Sequence, residues 1–148
     1  MPTQELEIFF PYTVENIYNL VADIEKYPLF LPNCVQLTVK KRHKTVKNEH
    51  ILAEMGVKYG IFSENFSSNV ELDAKNHSII VGLNSGPIKK LNNHWRIEKH
   101  DNGSLAHFKI EIEMKNFALK IALAAAFKFA VNEVVEAFKT RADELYST

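Results

Sequence analysis

Cys34, the single cysteine, is the strongest latent nucleophile of this chain, and six histidines, His43, His50, His77, His94, His100 and His107, are its latent metal ligands. A reactive thiol needs a base and an orienting partner beside it, and no such trio is visible. A small buried side chain near Pro32 is the simpler expectation for Cys34. No two histidines stand four residues apart, as ligands on one helix face would, and no acidic cluster accompanies them, so no metal is expected. The basic run KKRHK, Lys40 to Lys44, has the composition of a phosphate-contacting patch. Cations at a strand end also serve as solvated surface that protects a sheet edge, and no aromatic pair of the RNA-binding kind accompanies the run. What remains is apolar and aromatic, and its chemistry is hydrophobic binding.

The elements that must position these residues follow from composition and periodicity. With 148 residues, 46% hydrophobic and 24% charged, the chain suits one domain with a real core, residues 1–148. Lys plus Arg equals Asp plus Glu at 18 each, so no global field draws the protein to DNA or acidic surfaces. A lone cysteine suits a reducing compartment, and the N-terminus MPTQELEIFF resembles neither a secretory signal nor a transit peptide; a cytoplasmic protein with no cleaved leader is expected. The longest apolar run, Leu119 to Val131, is interrupted by Lys120 and Lys128 and falls short of the ~18 to 20 residues of a membrane span.

Leu6, Ile8 and Phe10 alternate with Glu5 and Glu7, predicting a first strand that Pro11 ends. Thr13 is an N-cap for a short helix with Ile17, Leu20 and Val21 on its apolar stripe, and EKYPLFLPN allows only one further helical turn around Pro28 and Pro32. Six strands are predicted between Val35 and Lys115, the clearest being Ala106 to Lys115. Their short spacing leaves no room for crossover helices, so the sheet is an antiparallel meander. Leu119 to Tyr146, free of Gly and Pro, is one long helix with Leu123, Phe127, Ala130, Val131, Val134, Ala137, Phe138 and Leu145 on its apolar face; Ile121 and Phe129 fall outside that face. The fold class is thus α+β: seven twisted strands wrapped around one C-terminal helix, two short helices after the first strand, and a space between sheet and helix suited to an apolar ligand.

The run VADIEKYPLFLPNC, Val21 to Cys34, resembles the coenzyme Q-binding branch of the START-like superfamily (polyketide cyclase, Bet v 1-like or SRPBCC), which also holds the RatA-type proteins. Val21, Asp23, Tyr27, Pro28, Phe30, Leu31, Pro32 and Cys34 carry the match. SGPIKKLNNHWRI, with Gly86, Pro87, Leu91 and Trp95, and VNEVVEAFKTRA, with Ala137, Phe138, Arg141 and Ala142, agree in order and spacing. The resemblance implies the helix-grip fold as a single lipid-binding domain, and a carrier of ubiquinone or a related isoprenoid lipid that supports respiration. For the RatA-type branch it implies association with the large ribosomal subunit and inhibition of translation initiation. Related folds also include aromatase and cyclase enzymes, for which Glu54, Glu64 or Arg96 would do acid–base work; a non-enzyme is expected.

Under the carrier reading, Tyr27, Phe30, Leu31, Trp95, Phe127, Val131, Val134 and Phe138 are candidates for the cavity wall, with ordinary core packing as their plainer role. A prenyl tail buried there gains about 0.8 kcal/mol per CH₂, and Trp95, Tyr27 and Arg96 are candidate donors to a quinone head. No cofactor is required, and ubiquinone is the expected ligand. The turn SGPIKK suggests a lid in which Gly86, Pro87, Ile88, Lys89 and Lys90, with Ile121 and Phe129, touch a membrane transiently. Peripheral attachment to the inner membrane is then the alternative to a purely cytoplasmic location.

Overall fold

The computed structural model describes residues 2–60 and 62–148. Strand β1 (Thr3–Phe10) leads into helix α1 (Val14–Ala22) and a 3₁₀ helix (Ile24–Leu29). The strands β2 (Cys34–Lys44), β3 (Glu49–Tyr59), β4 (Phe62–Asp73), β5 (Ser78–Ser85), β6 (Ile88–His100) and β7 (Gly103–Met114) follow, and helix α2 (Phe117–Tyr146) closes the chain. The sheet is seven-stranded in the order β1-β7-β6-β5-β4-β3-β2, and each neighbouring pair is antiparallel. The expected helix-grip architecture is what forms.

Local chemistry accounts for the order. Short connections make β2 to β7 a meander. β1 instead pairs with β7 at the far edge, so α1 and the 3₁₀ helix carry the chain from one sheet edge to the other. Thr13 caps α1, its Oγ1 accepting from the Asn16 amide at 3.2 Å, and Pro28 keeps the next element a 3₁₀ helix. Asn116 caps α2, its Oδ1 accepting from the Leu119 amide at 3.1 Å, and so the helix begins before the apolar periodicity does. Bulges in β2, between Ser67 and Ser68, and between Ile88 and Lys90 add the twist that curls the sheet.

α2 packs chiefly on β1, β7 and α1. Its buried residues are Phe127, Val131, Val135, Phe138 and Ala142. The apolar face read from a straight wheel is corrected here: Val135 is buried, Val134 only half-buried, and Leu145 exposed. Contacts that step by four residues overshoot a full turn by about 40° each. The buried stripe therefore winds around the helix as the curved sheet winds around it.

Candidate functional site

Aromatic rings plug the concave side against the second half of α2. Phe138 meets Trp95 at 5.1 Å, Phe30 at 5.3 Å and Tyr27 at 5.6 Å between ring centroids, and Trp95 meets Phe108 at 4.7 Å, all edge to face. The Tyr27 hydroxyl donates to the Val21 carbonyl, and burial pushes its phenol far above the ordinary range. Of the eight candidate wall residues, Trp95, Phe127, Val131 and Phe138 are fully buried, while Tyr27, Phe30, Leu31 and Val134 are half-buried around them. The structure thus gathers most of them into one cluster that is core as much as wall.

The open part lies nearer the start of α2. Strand alternation puts Val81, Asn93 and Ile110 in one inward row across β5, β6 and β7, with Leu91 opposite Ile112 in the next. Met55 likewise lies between Leu37 and Phe66. Except for Leu91 these side chains are only half-buried, although most stand on interior strands. Leu119 and Leu123 pack with them from α2, against the buried trio Ile88, Leu91 and Met114. A close-packed interior would seal these positions, so their exposure marks an apolar concavity between the sheet and the first half of α2. Ser68 and Asn93 bring polar groups to it. Ser68 lies buried in the row Ala53–Ser68–Leu83, and Asn93 donates Nδ2 to the Lys109 carbonyl at 2.8 Å, which leaves its second N–H and its oxygen. Asn93 escaped the sequence reading. The signal was there: Leu91, Asn93, Trp95 and Ile97 alternate, and an amide occupies an inward position.

Other expectations shift. Arg96, a candidate head-group donor, points outward and pairs with Glu98 at 3.0 Å. Glu54 stands outward between Thr38 and Ser67, whereas Glu64 continues the row Cys34–Val57 at the rim of the concavity. Burial raises the Cys34 thiol, and its Sγ lies 3.8 Å from the Gln36 carbonyl, which is the setting of an inert thiol. Among the described residues no three His, Cys, Asp or Glu side chains gather into a metal site. The basic run lies on edge strand β2; Lys40, Lys41 and Lys44 are exposed, and Arg42 is held by Glu49 at 2.8 Å and Glu25 at 3.0 Å. Surface clefts outside the concavity include one of about 570 Å³ between Leu29, Phe30 and Phe129 on the outer side of α2, one of about 760 Å³ by Tyr12, His77 and Tyr146, and one of about 410 Å³ by Lys41, His50 and Asn69.

The expected lid is a tight turn. Only Gly86 and Pro87 separate β5 from β6, and the Lys115 amide clips the turn by donating to the Pro87 carbonyl at 3.1 Å. Gly86 has φ 136°, and a Cβ there would stand 2.6 Å from that of Phe66. Ile88, expected to face the membrane, is 3% exposed, because the bulge between Ile88 and Lys90 turns both Ile88 and Leu91 inward. Lys90 pairs with Glu111 at 3.0 Å; Lys89, Ile121 and Phe129 are exposed. Among the described residues no helix is long and apolar enough to cross a membrane.

Residues 10–139 match the family model described as polyketide cyclase / dehydrase and lipid transport. An Escherichia coli K12 protein named ribosome association toxin RatA is 32% identical over 99% of this chain and 90% of its own length. A Dictyostelium discoideum protein named coenzyme Q-binding protein COQ10, mitochondrial, is 28% identical over 99% of this chain and 71% of its own length. The solution structure of an 18 kDa Caulobacter crescentus protein superposes with a TM-score of 0.85 at 29% identity, covering 100% of both chains.

Proposed function

The chain belongs to the polyketide cyclase / dehydrase and lipid transport family, and from that premise we propose that it binds a ubiquinone-type isoprenoid lipid in the concavity between the sheet and α2 and carries it for respiration. The observation that supports this most is the row Val81, Asn93, Ile110, apolar on both sides of a single amide and half-buried at the centre of the sheet. Water would be poorly held there. A prenyl tail gains about 0.8 kcal/mol for each CH₂ it buries, and a quinone carbonyl can accept the second N–H of Asn93. Binding rather than catalysis is the reading, since the thiol of Cys34 is suppressed by burial and, of the three acid–base candidates, Glu54 and Arg96 face solvent and leave Glu64 alone at the rim. Organic extraction of protein prepared from a quinone-producing host, followed by mass spectrometry, tests it. Prenyl quinone at a near-stoichiometric level is expected; protein that carries none and takes none up sinks the proposal.

Ribosome association is the second reading, and the 32% identity to the RatA-named protein over nearly the whole chain favours it. Lys40, Lys41 and Lys44 on β2 are its contact candidates. It requires co-sedimentation with the large subunit that weakens steeply with salt. Replacing the three lysines with Gln should release the protein; unchanged binding would return the run to edge protection.

A further inference from the structure

α2 carries two apolar surfaces, and only one is buried. Phe117, Ile121 and Phe129 are 73%, 56% and 62% exposed, although all three are large apolar side chains. With the exposed Ala125 they recur every four residues, which places them on one outward stripe of the first half of the helix. Leu29 stands across a shallow cleft from Phe129, and Glu133, Glu136 and Glu144 also line that cleft, so the apolar stripe ends at Phe129.

Charge is segregated along the same element. From Lys115 to Asn132 the charged residues are Lys115, Lys120 and Lys128, with no acid; the acids of α2 begin at Glu133. Lys120 leans 3.5 Å from Glu113, and Lys89 is exposed beside the clipped turn that abuts the helix start. Large apolar side chains flanked by lysines are the signature of a helix that lies in the headgroup region of a bilayer. Anionic headgroups attract such lysines, and the acyl boundary takes the Phe and Ile. A nucleic acid would use the lysines and leave Ile121 in water.

We propose that this stripe, Phe117, Ile121, Ala125 and Phe129 with Lys115, Lys120 and Lys128, docks the protein onto anionic phospholipid bilayers. The docked face is the back of the helical turns whose inner face, through Leu119 and Leu123, closes the concavity. On the carrier reading, on which its purpose rests, a small outward movement of those turns would open the concavity toward the lipid.

Vesicle co-sedimentation tests the docking without any quinone. The protein should bind mixed phosphatidylcholine–phosphatidylglycerol vesicles, bind phosphatidylcholine alone more weakly, and release from the anionic vesicles as salt rises. Replacing Phe117, Ile121 and Phe129 together with Ser should lower partitioning at least about tenfold, with the circular dichroism spectrum and thermal midpoint kept because the side chains are already exposed. K115E with K128E should abolish the preference for anionic vesicles. Failure to bind anionic vesicles overturns the proposal, as does a Ser variant that binds like the parent, or one that instead loses large-subunit binding. Because quinone extraction is scored on separate samples, a protein that docks but carries no quinone refutes the carrier reading alone, and one that carries quinone but does not dock refutes the docking alone.

Discussion

Single side chains in this protein divide between holding the fold and lining its space. Phe138 touches Trp95, Phe30 and Tyr27 at once and is fully buried. Phe138→Ala should therefore lower stability by about 3 to 5 kcal/mol, read from urea unfolding midpoints. Asn93 is the contrasting case, an amide on an apolar row. Asn93→Leu should leave stability within about 1 kcal/mol of the parent, since one hydrogen bond is exchanged for apolar contact, and on the proposed carrier reading it should weaken quinone binding by up to about tenfold. Titration of fluorescence quenching with a short-chain quinone measures it. Tyr18 ties stability to alkaline pH: burial first, then Asp73 and Glu49, raise its phenol from 10.0 to about 12. The folded state thus favours the protonated phenol, so the contribution is complete below pH 10 and is lost as pH rises toward 12. A denaturant midpoint that stays flat across that window would show that Tyr18 ionises without penalty. Sequence alone could name Phe138 and Trp95, because apolar residues at regular positions reveal themselves. The outward turn of Arg96 and the inward turn of Asn93 depend on strand phase, which only pairing with neighbouring strands fixes.

At the scale of elements, ends and edges decide behaviour. Asn116 starts α2 through one side-chain bond to the Leu119 amide, and Asn116→Ala should lower stability by about 1 kcal/mol in urea unfolding. If the midpoint does not move, packing of the first turn rather than the cap holds the helix start. The existence of seven strands and three helical segments was legible from alternation, prolines and turn residues. The buried stripe of α2 was not, because a wheel assumes a straight contact line while the sheet bends that line around the helix. The bulge at Ile88 was hidden for a related reason: one extra residue reverses the phase of a strand, and nothing in IKKL distinguishes it from an unbroken run.

For the whole molecule, the sheet curls around α2, closes tightly where the aromatic rings meet, and stays open toward the start of the helix. A ligand that enters that space binds only the folded state. On the proposed carrier reading, short-chain ubiquinone at about a hundred times its Kd should add about 2.7 kcal/mol of stability, seen as a rise in thermal midpoint that grows with ligand concentration. The sequence by itself determined the order of elements, the antiparallel meander and the long C-terminal helix, because these rest on periodicity, turn chemistry and composition, all local in the chain. Tertiary structure alone decided which apolar residues are sealed and which line a space, that the SGPIKK turn is clipped shut, and that Asn93 faces inward. Those outcomes depend on strand register and sheet curvature, which are set by contacts between residues far apart in the chain.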